Sequence, residues 1–170
     1  MPARQSKIFP CVTVDVVEDG GDWSGLADPE SIVQAAVDAV ARVPGVLSSD
    51  ATLVVALSTD AAVAKLNADF RGKAKATNVL SFPAGKGAAP DFIGDIILAA
   101  ETVQREAVEQ STPFTHHVQH LVVHGFLHLI GYDHETAGDA ERMEALEIEI
   151  LASLDIANPY TGELQPAQQE

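Results

Sequence analysis

The sequence predicts a single α/β (α+β) domain, a small and mainly four-stranded sheet packed with helices. Three observations carry this. Short β-branched or apolar runs alternate with helical patterns from Cys11 to Leu154. The 170 residues suit one domain, and 46% are hydrophobic, enough for a real core. No internal repeat or composition shift marks a second unit. The domain is expected over residues 1–156, followed by a polar, flexible tail at 157–170.

"CVTVDVV" (11–17) alternates apolar and polar residues and reads as a strand. "DPESIVQAAVDAVARV" opens with Asp28 as N-cap and Pro29 at the first helical position, then keeps helical periodicity to about Val43. "ATLVVALS" (51–58) is a short apolar run, expected as a buried strand. "STDAAVAKLNADF" caps at Ser58 or Thr59 and runs as a helix to about Phe70. "NVLSF" (78–82) reads as a strand ended by Pro83, and "AGKGAAPD" as a flexible loop. "FIGDIILAA" (92–100) is a further strand, with Asp95 structural within it, and "ETVQREAVEQ" a short helix. "PFTHHVQHLVVHGFLHLI" (113–130) is a long apolar helix that Gly131 stops. "AGDAERMEALEIEILASL" (137–154) is amphipathic, with Met143 in the core.

Composition narrows the function classes. No apolar run approaches the roughly 20 residues that span a bilayer. "MPARQSKIFP" lacks the apolar stretch of a signal peptide, and Cys11 is the sole cysteine, so a reducing cytoplasm is the expected location. The net charge of −15 argues against indiscriminate nucleic-acid binding. The charge is unevenly placed, however. Lys65, Arg71, Lys73, Lys75 and Lys86 fall in one 22-residue stretch whose only acid is Asp69. By itself such a strip reads as solvated surface.

The histidines carry the chemistry. His117, His120, His124 and His128 share one helical face. His120 and His128 lie about 12 Å apart along the axis, too far to share an ion whose ligands sit at about 2 Å. Only one i, i+4 pair can ligate, and Gly131 lets the chain turn back so that His134 completes the set. The spacing therefore selects His124, His128 and His134, placing a metal site at the end of a central helix. His116, His117 and His120 are left to packing and hydrogen bonding, with His120 a candidate to support the site from behind. Asp133 is a second candidate to orient a ligating histidine. Three neutral imidazoles leave an open fourth position, as in catalytic zinc sites. One zinc ion per chain is expected, although nickel, cobalt and copper also suit imidazole. Zinc peptidases carry glutamate after the first histidine, where this chain has Gly125. Glycine there is expected to leave room for a bulky substrate and to spare an anion from repulsion, favouring a phosphodiester over a peptide.

"HGFLHLIGYDH" (124–134), with "NADFRGKAKATNVLSFP" (67–83) and "GDIILA" (94–99), resembles the YbeY family of bacterial metal-dependent endoribonucleases. The resemblance covers about residues 50–153. It implies zinc on His124, His128 and His134. It also implies single-strand-specific cleavage of RNA in maturing the 3′ end of small-subunit ribosomal RNA and in ribosome quality control. The implied partners are ribosomal RNA, the small subunit, and assembly factors such as the Era GTPase and a small-subunit ribosomal protein. The family's R-G-K arginine falls on Arg71, expected with His124 to act in catalysis, as a bidentate clamp on developing phosphate charge. Arg71, Lys73 and Lys75 then read as an RNA-facing strip, and Asn78 and Ser81 as substrate contacts. Ala74 and Ala76 replace an acid and a proline common in the family, which bears on loop rigidity. Two alternatives stand beside the nuclease: an assembly factor with a mainly structural metal, and a metal-dependent hydrolase of another substrate.

Overall fold

The computed structural model describes residues 9–72 and 77–160, the side chain of Arg71 excepted. The elements run β1 (Val12–Glu18), α1 (Pro29–Ala41), β2 (Ala51–Ser58), α2 (Asp60–Arg71), β3 (Val79–Pro83), β4 (Phe92–Ala99), α3 (Ala100–Glu109), α4 (Phe114–Leu129) and α5 (Ala137–Ser153). The four strands form one sheet in the order β1-β2-β4-β3. β1, β2 and β4 are parallel, and β3 pairs antiparallel with β4 at one end of the sheet. This is the expected class: a small α/β domain with, among the described residues, a four-stranded mixed sheet and five helices.

Local chemistry explains the boundaries. Asp28 caps α1 by accepting from the Ser31 amide, with Pro29 at the first turn. The helix stops at Ala41, two residues before the expected Val43, because Val43 precedes Pro44 and such a residue avoids the helical region. Of the two cap candidates for α2, Thr59 takes the role, accepting from the Ala62 amide, while Ser58 is buried at the end of β2. Pro83 lies within β3 rather than after it. Terminal strands tolerate proline, since the missing N–H need not face a partner.

The sheet is covered on both faces, which is why β2 and β4 read as nearly continuous apolar runs. Leu53, Val55, Leu57, Ile96 and Leu98 share the main core with α1, α4 and α5. Val63, Leu80 and Ala99 form a smaller cluster with Leu66, Phe82 and Ile97 beneath α2. α4 is therefore held against the sheet along its length, its Val118, Val122, Phe126 and Leu127 fully buried. Met143 of α5 is 1% exposed, a core residue as the pattern suggests. This buried scaffold fixes the histidine face of α4.

Candidate metal centre

α4 delivers His124 and His128 from successive turns of one face, and the chain reversal after it supplies the third histidine. Gly131 has φ +108°, a conformation that L side chains rarely adopt. Its amide donates to the His128 carbonyl at 3.1 Å and the Tyr132 amide to that of Leu127 at 3.0 Å, so the exposed helix end is satisfied as the chain turns back. His134 then stacks on His124 with ring centroids 5.8 Å apart and lies 5.0 Å from His128. One ring nitrogen from each of the three histidines lies within 4.8 Å of the others, a group that could hold a metal ion. The Nε2 atoms of His124 and His128 are 3.2 Å apart.

Glu147 stands behind this group and was not anticipated. It lies on α5, is fully buried, and accepts from His124 Nδ1 at 2.7 Å and His120 Nε2 at 3.3 Å. The hydroxyl of Tyr160 also donates to it. Burial works to raise the Glu147 pKa. Hydrogen bonds from His120 and His124, the His124 charge and the Tyr160 hydroxyl outweigh it and hold the carboxyl at about 2. An ionised carboxylate on Nδ1 places the His124 proton there and leaves Nε2 with its lone pair toward His128. His128 is pushed below its ordinary pKa, first by burial and then by the His124 and His134 charges, while a Tyr132 backbone hydrogen bond and the Glu147 charge oppose this. Convergent imidazoles, one fixed in the ligating tautomer and one biased to neutrality, fit a divalent ion. The signal for Glu147 is present in the sequence: it occupies the apolar stripe of α5 with Met143, Ile150 and Leu151, at i, i+4, i+7 and i+8. Glu147→Gln is expected to weaken metal affinity by about 10–100-fold, measured by competition with a chelating dye, because the amide cannot stabilise the Nδ1 proton as a carboxylate does.

The three histidines open onto a cleft of about 460 Å³ that Thr77, Asn78, Val79, Leu80, Ser81 and Pro83 also line. The lining contains no carboxylate among the described residues. Asn78 and Ser81 both reach the cleft, yet each is engaged with the protein. The Asn78 amide donates to Glu106 at 2.9 Å, and the Ser81 hydroxyl donates to the Gly125 carbonyl at 3.3 Å. Arg71 is the last residue of α2, and Gly72 caps the helix at φ 73°. The Arg71 side chain, Lys73 and Lys75 lie outside the described residues. Lys65 pairs with Asp69 at 3.3 Å on the open surface, an ion pair of little energetic weight.

His120 does not touch the three histidines through a hydrogen bond but is tied to His124 through Glu147. Asp133, a candidate to orient a ligating histidine, accepts from the Glu135 amide at 3.2 Å in an exposed turn. It is too close in sequence to His134 to turn back beneath the ring, and α5 supplies the carboxylate from the core side. Partial burial within β4 raises the Asp95 pKa from its ordinary value. Tyr160 packs edge-on against His120 with centroids 5.7 Å apart, so residues 157–160 of the expected tail border this network. Residues 161–170 lie outside the described residues.

Gly125 has a different explanation from the one expected. It is buried on the sheet side of α4. A Cβ there would meet Ile96 Cγ2 and Ser81 Oγ, each at 3.0 Å, and Ile96 Cδ1 at 3.2 Å. Glycine permits close approach of α4 to β3 and β4, which sets His124 beside the strand that walls the cleft. The space it leaves is filled by protein, not reserved for substrate.

A second histidine–glutamate pair flanks the first. His117, 3% exposed, lies 2.8 Å from Glu106, which also accepts from Asn78. Burial lowers the His117 pKa most, and the His120 charge adds to it, against the hydrogen bond and charge of Glu106. The unfolded chain thus takes up a proton near pH 6.5 that the folded chain resists. Stability contributed by neutral His117 is present above that pH and lost as pH falls below it. In metal-free protein, His117→Gln is expected to flatten the decline of the urea midpoint between about pH 6.5 and 5. An unchanged slope would mean that His117 does not contribute.

The Endoribonuclease YbeY family model matches residues 25–155. A protein named Endoribonuclease YbeY from Rhodopseudomonas palustris (strain BisB18) is 48% identical over 162 residues, spanning 92% of this chain and 95% of the relative. Its namesake from Bradyrhizobium sp. (strain BTAi1) is 47% identical over 158 residues, spanning 89% and 94%. The solution structure of TM1509 from Thermotoga maritima superposes with a TM-score of 0.50 at 21% identity, over 92% of this chain and all of that one, a likeness of fold.

Proposed function

This chain belongs to the Endoribonuclease YbeY family, and from that premise we propose that it is a metal-dependent endoribonuclease. Its substrate is single-stranded ribosomal RNA, and its tasks are maturation of the small-subunit 3′ end and ribosome quality control, in the cytoplasm. The observation that carries the reading is the convergence of three imidazole nitrogens within 4.8 Å at an open cleft. Structural zinc is held by four protein ligands, whereas three ligands beside a cleft suit catalysis and weigh against a scaffolding metal. Ribosomal RNA, the small subunit, the Era GTPase and a small-subunit ribosomal protein are the proposed partners.

His124, His128 and His134 would hold the ion, with zinc the expected metal. When bound, it supplies Lewis acidity toward a phosphoryl oxygen. Glu147 holds the His124 ring in its ligating tautomer. Asn78 and Ser81 offer polar groups along the cleft wall. Arg71, Lys73 and Lys75 supply positive charge in a chain of −15, and Arg71 clamps phosphate charge as it develops. A cleft lining with no carboxylate among the described residues lets a phosphodiester approach with little repulsion. The test is cleavage of structured ribosomal RNA by pure protein before and after chelation, with zinc, nickel, cobalt or copper returned singly and His124→Ala as the contamination control. Cleavage that survives chelation, or that His124→Ala retains, would sink the proposal.

A further inference from the structure

We infer that Phe70 is a stacking platform for an unpaired base of the RNA strand, set across the terminal strand β3 from the histidine cleft. The inference rests on the endoribonuclease reading and adds a subsite to it. A lone exposed apolar side chain needs no explanation. Phe70 differs in its setting. It is 68% exposed, although it belongs to the residue type with most to gain from burial. Its ring is held by an edge-on contact with Phe82, centroids 5.5 Å apart, and Phe82 is itself anchored in the small cluster beneath α2. A ring ordered in this way can accept a base with little further loss of side-chain freedom.

Position ties the platform to the cleft. Phe82 and Ser81 are neighbours on β3 and face opposite ways: Phe82 packs beneath α2, while Ser81 bonds to α4 and lines the cleft. β3 ends the sheet, so a single strand crossing it has the histidines on one side and Phe70 on the other. Charge favours the same occupant. Phe70 lies within the 65–86 stretch, which carries five basic residues and one acid. The other exposed large hydrophobics among the described residues, Val17, Val108 and Tyr160, lie outside that stretch. An aromatic face within a basic track is how single strands are bound without base-edge readout. A protein partner would be met by apolar neighbours, whereas Phe70 is followed by Arg71 in a stretch whose charges, Asp69 apart, are all basic.

The experiment measures affinity of metal-loaded protein for a 12-nucleotide oligoadenylate and for an abasic oligomer of the same length, both 2′-O-methylated and shown to be intact after each titration, at one salt concentration. Wild type is compared with Phe70→Ala, Phe70→Leu and Phe70→Trp. Alanine and leucine are expected to weaken oligoadenylate binding about 5-fold or more, with tryptophan near wild type, and no variant is expected to alter abasic binding. Leucine keeps an apolar side chain against Phe82, so its loss reports the aromatic face rather than packing. In Phe70→Trp, oligoadenylate and not the abasic strand should quench the new fluorescence. Alanine and leucine within 2-fold of wild type, or equal losses on both oligomers, would overturn the platform. Absence of metal-dependent cleavage by wild type would instead sink the nuclease reading, because the binding comparison is made independently of turnover.

Discussion

His128→Ala is expected to purify without its metal and to lose RNA cleavage altogether within assay limits, while remaining folded. The ring is half-buried at the last turn of α4, beside solvent, so its removal leaves no large cavity. What it removes is one of the three proposed ligands. The loss should exceed the roughly 10–100-fold that supporting partners such as Glu147 contribute, since those act only through a ligand. The same site sets the pH dependence of metal retention. Imidazole ligates only when neutral, and His128 is pushed below its ordinary pKa, chiefly by burial and next by His124 and His134. Bound metal should therefore be kept at neutral pH and released as pH falls below about 6.5. Elemental analysis and a chelating-dye titration check both statements, for wild type and variant. A His128→Ala protein that retains one equivalent of tightly bound metal would rule out the three-histidine assignment.

The fold and the convergence of the three histidines were legible because their signals are local. Caps at Asp28 and Thr59, the stop at Gly131 and the period of each apolar run are short-range chemistry, and all appear where the residues suggest. The partners behind the trio were not, because contact between α4 and α5 is long-range. Asp133 adjoins His134 in sequence, yet Glu147, thirteen residues beyond His134, is the carboxylate that bonds to His124. Its clue was a charge in an apolar stripe, which costs too much to bury unless it is paired. Asn78 shows the opposite error of emphasis. It was read as a substrate contact, but its bond to Glu106 joins the cleft wall to buried His117, a link that no spacing rule contains. The Arg71 side chain lies outside the described residues, so its role rests on the family and on charge.

Gly125→Glu is expected to unfold the protein or leave it destabilised by about 4 kcal/mol or more, rather than to create a peptidase. The sequence comparison with zinc peptidases makes the substitution tempting, since it restores their lettering. The position forbids it. The first side-chain carbon would already press on Ile96 and Ser81 at 3.0 Å, and Ile96 is fully buried in the centre of the sheet. Four further heavy atoms and a charge would follow into that contact. Overpacking alone costs about 1–3 kcal/mol. An unpaired buried carboxylate adds several more or must take up a proton. Gly125→Ala separates these contributions. Its one added carbon sits at distances where the neighbours must yield by a few tenths of an ångström, offset by the better helix propensity of alanine, worth about 1 kcal/mol. Alanine should therefore stay folded, and any loss of cleavage should track displacement of His124 relative to β3. Urea unfolding of metal-free wild type, Gly125→Ala and Gly125→Glu, with metal affinity measured on each folded protein, decides the matter. A stable, metal-loaded Gly125→Glu protein would show that α4 has room to shift, and that the glycine serves the cleft rather than the contact with the sheet.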